Sequence, residues 1–277
     1  MAPTSFVTVA AKRNARASLK IAIAKMPIPV PISPTTKRII LKPSIYDPAL
    51  VGNTSLSMMK AVVELFRGIT PLSIVESDNP LRTAEEAFEK TGYTSLIEEN
   101  VELVNLSKEK QILTDFPGNG IAQEEVPEII LKHNFLVNVA TLKIQEGIGF
   151  GAGIKNLFGL LGRRDKNIFH DDLHNVLLDI LIQFRPILSI VDMTEIVVGR
   201  RDEGNSKLVG GIILGTDPVA VDAYCASVLG IDPLKIGYIR KAYESGLGEA
   251  LPERIQVLGT EHQIRRISDN LRSMTSP

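Results

Sequence analysis

Short apolar runs alternate with amphipathic stretches along most of the chain, and the two periods that separate strands from helices can be followed in order. Phe6-Val-Thr-Val-Ala10 predicts a strand, and Ala15 to Met26, with Leu19, Ile21 and Ile23 available for packing, predicts a helix. Met26 to Pro34 carries four prolines in nine positions and reads as an extended connector, because proline fixes φ and removes an amide donor. Arg38-Ile-Ile-Leu41 then predicts a strand that leads into Lys42-Pro43-Ser44, followed by a helix from Thr54 or Ser55 to Gly68. The unit recurs as a strand over Leu72 to Glu76, a helix from Arg82 to Thr91 closed by Gly92, and a further strand over Val101 to Leu106. Thr114 to Ala122 reads as a loop or hairpin insertion, and Pro127 to His133 as a helix delivering the chain into an apolar strand, Phe135 to Ala140.

Beyond that point the pattern predicts a helix from Asp171 to Phe184, a strand from Ile187 to Asp192, a strand from Leu208 to Leu214 and a helix from Pro218 to Leu229 capped by Thr216 or Asp217. Pro233 to Ser245 predicts one more helix and Ile255 to Leu258 a last strand, with a charged tail from Glu261 that is helical or frayed. Strands alternating with helices argue for crossover connections. The expected fold is therefore α/β, a largely parallel open sheet with helices on both faces, forming one large domain over residues 1–260 and a tail over 261–277.

One stretch stands out against this regularity. Between Leu136 and Arg164 the apolar strand gives way to Lys143, to four alternating glycines (Gly147, Gly149, Gly151 and Gly153), and to Lys155-Asn-Leu-Phe-Gly159. This predicts a strand that stops, a loop free to adopt unusual dihedrals, and a helix entered with a lysine and an asparagine. Amides at a helix start favour phosphate or carboxylate, and glycine lets a ligand come close to the backbone. The glycine spacing matches neither a dinucleotide fingerprint nor a Walker loop, so the pattern implies affinity for an anion and names no nucleotide. The same glycines would also serve a tight loop with Lys143 and Lys155 solvated at its rim.

Composition narrows the classes. Lysine and arginine number 31 and aspartate and glutamate 32, a balance that argues against nucleic acid or a membrane surface as partner. The lone Cys225, set in an apolar helix, reads as an inert core thiol, so no disulfide and no iron–sulfur cluster is expected within the chain, and a reducing, cytoplasmic setting is. No apolar run reaches the roughly 20 residues that span a bilayer. From Met1 to Tyr46 the chain has basic residues and no acidic one, as transit peptides do, but the strand and helix patterns there argue for a folded first element.

In open α/β sheets ligands bind outside the carboxyl ends of the strands. By that rule Lys42, Glu76, Lys143 and Asp192 are candidates to converge, joined by Gly149, Gly151, Gly153, Lys155 and Asn156. Glu76 and Asp192 could instead cap the segments that follow them, and Lys42 could be an exposed strand-end lysine. Asp222 lies one turn into an apolar helix, where a carboxylate needs a partner such as Lys155 or Arg163. His170 and His174 are four residues apart at a helix start with Asp171 and Asp172 between them. No third residue completes a metal site, so no metal is expected; His170 is a candidate proton carrier, and Lys143 a second catalytic candidate.

Leu41-Lys-Pro-Ser44, the Glu76-Ser77 corner, the strand exit at Lys143, Ile154-Lys-Asn-Leu-Phe-Gly159, His170, Val191-Asp192, Asp217-Pro-Val-Ala-Val-Asp222 and Gly246-Leu-Gly248 together resemble the domain of unknown function numbered three hundred and sixty-two, over most of the chain. The resemblance implies no settled activity; members are often fused or neighbouring to ferredoxin-like iron–sulfur modules, which makes a ferredoxin-like protein a candidate partner. The chain departs from the family's pattern at Gln145, where a histidine is common, and at Ser44, where an asparagine is. The leading expectation is an uncharacterised α/β protein that binds a small anionic metabolite at the glycine-rich strand, loop and helix, and that could be an enzyme. The alternative is a non-catalytic accessory of an iron–sulfur or electron-transfer partner.

Overall fold

The computed structural model describes residues 5–275 except 13, 34, 133–134 and 146–148. Gly147 and His133 therefore lie outside the described residues. In chain order the elements are β1 (Ser5–Ala10), α1 (Ala15–Ala24), β2 (Ile39–Pro43), α2 (Leu56–Phe66), β3 (Leu72–Glu76), α3 (Ala84–Lys90), β4 (Val101–Asn105), β5 (Gln111–Asp115), β6 (Gln123–Pro127) and α4 (Glu128–Leu131). They continue with β7 (Phe135–Gln145), β8 (Gly149–Gly151), α5 (Gly153–Asn156), α6 (Leu173–Gln183), β9 (Leu188–Gly199), β10 (Ser206–Leu208), β11 (Ile212–Gly215), α7 (Pro218–Val228), α8 (Gly237–Glu244), β12 (Ile255–Leu258) and α9 (Glu261–Thr275).

The main sheet runs in the order β12-β1-β11-β9-β7-β2-β3-β4. Its centre, β9-β7-β2-β3-β4, is parallel throughout, and β11 is the antiparallel strand between β9 and β1. Fully apolar runs such as Ile39-Ile-Leu41 are what a strand covered on both faces requires. The two faces carry separate apolar cores. On one side Leu19, Met58, Met59, Val62 and Phe66 of α1 and α2 pack against Leu41, Ile74 and Val139. On the other, Leu177, Ile180, Val221, Ile239 and Ile267 of α6 to α9 pack against Ile40, Val191 and Ile213. The fold is thus the expected α/β sheet, mostly parallel, with helices on both faces.

The strand through Phe135 does not stop where its apolar run does. Thr141-Leu-Lys-Ile-Gln145 keeps alternating, so β7 continues past a register shift at Thr141/Lys143, pairs with the far end of β9, and turns back as β8. Lys143 pairs with Gly151 and Gln145 with Gly149, which makes Gly149 to Gly151 the return strand of a hairpin rather than part of an open loop. Likewise the strand expected to end at Asp192 runs on to Gly199 and turns back as β10. The result is a small lobe, β8-β7-β9-β10, projecting beyond the carboxyl edge of the sheet. Among the described residues no helix is long and apolar enough to cross a membrane.

Candidate functional site

The carboxyl edge gathers a set of cations on β2, β3, β7 and the turns after them. Lys42 leaves β2 and is 1% exposed; its Nζ meets Glu76 Oε2 at 2.8 Å and donates to the Pro43 carbonyl at 2.6 Å. Glu76, at the end of β3, also faces Arg82, whose guanidinium lies 3.8 Å from Oε1 and donates to the carbonyls of Ser77, Ile45 and Tyr46. Burial pulls the Lys42 ammonium below its ordinary range while Glu76 pulls it back up. This pair is roofed by the turn after α5: a side chain at Gly159 would put its Cβ 2.7 Å from Lys42 Cε and 3.3 Å from Glu76 Oε1.

A second group lies beside it, where the projecting lobe leaves the sheet. Lys143 Nζ donates to Ser44 Oγ at 2.8 Å and to Thr141 Oγ1. Burial first, then the charges of Arg201, Lys155 and Lys42, drive its ammonium well below the ordinary range. Lys155 is half-buried over Gly151, and burial lowers it too. Arg201 follows β9; it donates to the Val51 carbonyl and, at 2.6 Å, to Asn53 Oδ1, with its guanidinium 5.2 Å from the centre of the Tyr46 ring. Among the described residues no carboxylate lies in ion-pair range of Lys143, Lys155 or Arg201. A further lysine, Lys166, reaches Ser77 Oγ at 3.0 Å and is pushed down to about 8, mainly by burial.

The start of α5 is occupied by the chain itself. Asp222, fully buried on α7, accepts from the Gly153 amide at 2.8 Å and the Ile154 amide at 3.0 Å. The partner of this acid is thus the backbone and not Lys155 or Arg163: amides at a turn start satisfy a carboxylate that has no room for a long side chain. Gly153 is obligatory here, since a Cβ would lie 2.9 Å from Asp222 Oδ1 and 3.3 Å from Asn138 Nδ2. Asn138 Nδ2 donates to the Gly153 carbonyl at 2.7 Å, and Asn156 Nδ2 donates to Asn138 Oδ1 at 2.8 Å and to the Lys42 carbonyl at 3.2 Å. Asn156 ties α5 to β2 and β7. Burial raises the Asp222 carboxyl to about 7.

The sequence-derived candidates therefore divide. Lys42, Glu76, Lys143, Lys155, Gly151, Gly153 and Asn156 share the carboxyl edge, with Lys42 and Glu76 engaged with each other and Gly153 and Asn156 engaged with the scaffold. Gly149 is exposed at the far end of the hairpin. Asp192 is 2% exposed and accepts from the Thr194 amide at 2.8 Å; burial raises it to about 6. His170 is exposed, its ring edge-on to Phe158 at 5.8 Å, and among the described residues no hydrogen bond joins it to the lysines. His174 instead packs against Tyr238, so the two imidazoles have separate neighbours. Among the described residues no group of three His, Cys, Asp or Glu gathers as a metal site would require.

Arg201, Lys166, Arg82 and Thr141 were not singled out by pattern. Arg201 was findable, because Met193 to Gly199 keeps strand character and carries the chain to it. Lys166 follows no strand, and nothing in the sequence marks it.

These features define a mostly parallel α/β protein whose candidate site is a cluster of cations at the carboxyl edge of the sheet. Residues 39–227, more than half of the chain, match the family model of the Domain of unknown function (DUF362), and the chain belongs to that family. Among solved structures, the lactate racemase apoprotein from Thermoanaerobacterium thermosaccharolyticum is similar in fold, with a TM-score of 0.51 and 13% identity, over 83% of this chain and 58% of that one. The chain thus corresponds to little more than half the length of that protein, and at this identity the likeness concerns the fold alone. No curated protein matches the chain.

Proposed function

We propose that this protein binds a small metabolite bearing a phosphate or carboxylate group among Lys143, Lys155 and Arg201, and that it acts on it as an enzyme with Lys143 at the reacting centre. The observation that carries this reading is the imbalance of charge. Three cations from β7, α5 and the turn after β9 come together with no carboxylate in ion-pair range among the described residues, Asp47 acting on Arg201 only from farther off: Lys143 meets hydroxyls, and Arg201 meets a carbonyl, an amide oxygen and the Tyr46 ring. Buried or half-buried like charges are costly unless a counter-charge arrives, and a bound anion supplies it. Ser44 and Thr141 fix the direction of the Lys143 amine, and Asn156 with Asn138 fixes the height of α5 against the sheet.

The anion contacts in this reading come from side chains. The amides of Gly153 and Ile154, the expected cradle, serve Asp222. Differential scanning fluorimetry against inorganic phosphate and short carboxylates tests the reading. The natural protein gains melting temperature with anion concentration, because binding adds RT ln(1 + [L]/Kd) to its stability, about 2.7 kcal/mol at a hundredfold excess over Kd. Lys155→Ala changes the ligand-free stability by no more than about 0.5 kcal/mol, as a rim lysine should, and loses most of the gain. An equal gain in natural protein and variant would remove Lys155 from the site.

A further inference from the structure

Lys143 keeps unusual company. Its Nζ donates to the hydroxyls of Ser44 and Thr141, and the charges that act on it belong to Arg201, Lys155 and Lys42, all of its own sign. Lys42, one strand away, has Glu76 for a partner; Lys143 has no carboxylate in range among the described residues. Burial and like charge both disfavour an ammonium, and a lysine relieved of its proton has a free nitrogen lone pair. Desolvation next to other cations is one of the settings that turn lysine into a nucleophile for carbonyl carbon. The same setting supplies two cations, Lys155 and Arg201, for a carboxylate attached to that carbon.

We propose that Lys143 is a nucleophilic lysine that forms an imine with 2-oxo carboxylic acids, with Lys155 and Arg201 holding the substrate carboxylate and the Ser44 hydroxyl relaying protons. The inference rests on the anion-binding reading and deepens it to a substrate class. In the first step the Nζ lone pair forms a bond to the carbonyl carbon, the C=O π pair moves to oxygen, and an Nζ proton passes to that oxygen through Ser44, giving a carbinolamine. In the second the nitrogen lone pair expels the hydroxyl group, which leaves with a proton as one water, giving the C=N bond. Nothing is oxidised or reduced. The cations around Lys143 suit both states, since they hold the free amine neutral and are themselves offset once the carboxylate is bound. Among the described residues the groups facing the amine are Ser44, Thr141, Lys42, Lys155 and Arg201, and the charges acting on it are positive, with Asp47 near Arg201 farther out.

The test is reductive trapping. The full chain is incubated at neutral pH with pyruvate and cyanoborohydride, then read by intact mass and peptide mapping, with propionate as the competing acid that lacks the carbonyl. The expected result is one addition per chain, equal to pyruvic acid less one oxygen atom, at Lys143, formed at least about tenfold faster than at the solvated surface lysines, whose amines stay protonated at neutral pH. Propionate slows it, Lys143→Arg abolishes it, and Lys155→Ala slows it by about tenfold or more while moving its onset to higher pH, because a neighbouring positive charge is gone. Label spread over surface lysines with no preference for Lys143 overturns the inference. If pyruvate and propionate both raise the melting temperature and Lys143 stays unmodified, the imine is wrong and the anion site stands; if neither raises it and Lys143 is unmodified, both fall. Should Lys143→Arg fail to fold, the mapped ratio within the natural chain decides on its own.

Discussion

Lys42 and Lys143 sit on neighbouring parallel strands at the same edge of the sheet, and their charges are handled in opposite ways. Lys42 points under the turn at Gly159 and finds Glu76 at 2.8 Å, with Arg82 on the other carboxylate oxygen. Lys143 finds two hydroxyls, the Thr141 carbonyl at 3.4 Å and three cations. A cation neutralised from within and sealed by backbone has no work left for a ligand, whereas one left with neutral partners creates a demand that something from outside must meet. The difference separates scaffold from site among residues of identical type. Its sharpest test removes the internal counter-charge. Glu76→Ala strands Lys42 and Arg82 in a buried setting and should cost about 3–5 kcal/mol, read as a fall in the urea midpoint at unchanged slope. A loss below about 1 kcal/mol would make the two lysines equivalent and dissolve the contrast.

That contrast could not be drawn from sequence, although the fold largely could. Strands such as Leu72–Glu76 and Ile255–Leu258 announce themselves because apolar runs bounded by glycine, proline and caps have few alternatives. The extensions of β7 and β9 carry a fainter signal, because Thr141 to Gln145 and Met193 to Gly199 mix polar and apolar residues once they leave the two covering layers; their strand character is there but lies beyond the apolar runs that mark the covered strands. Apolar runs alone end both strands early, which places the glycines in a loop and leaves Arg201 unmarked. Lys42, Glu76 and Lys143 were legible as strand-end residues, but which lysine meets which acid depends on the order of strands and on the turn that closes over them. Asp222 shows the same limit: its burial demands a partner, and only the packing of α7 against α5 reveals that the partner is backbone.

The second comparison lies within the glycine-rich segment itself, between its satisfied amides and its unsatisfied lysines. Asp222→Ala leaves the Gly153 and Ile154 amides without their acceptor and should cost about 2–4 kcal/mol, since each buried orphan carries a penalty of about 1–3 kcal/mol. The pH dependence has a definite sign. The Asp222 carboxyl is raised from 3.8 to about 7 by burial, so the folded chain holds a proton that the unfolded chain has released. Its contribution is present in full below about pH 3.8 and is lost as the pH rises through about 7. Asp192, raised to about 6, adds a loss of the same sign over a lower window. Asp222→Asn keeps the shape without the titration, so its unfolding free energy should lose part of the decline between pH 5 and 8 that the natural protein shows.

The smallest of the three changes compared across these lysines and acids bears directly on function. Lys143→Met replaces an amine surrounded by cations with an apolar side chain of similar length, and such exchanges are neutral or stabilising. The ligand-free variant should gain about 1 kcal/mol at pH 7. The sign with pH is fixed in the same way: folding depresses the Lys143 ammonium below its ordinary 10.5, so the unfolded chain binds a proton that the native chain lacks, and stability rises as the pH climbs from the depressed value toward 10.5. Lys143→Met should erase that rise, which denaturation at pH 7 and pH 9 will show. Stability gained at the expense of anion-induced stabilisation marks a residue retained for binding or chemistry, whereas a loss of stability would class Lys143 with Lys42 as scaffold.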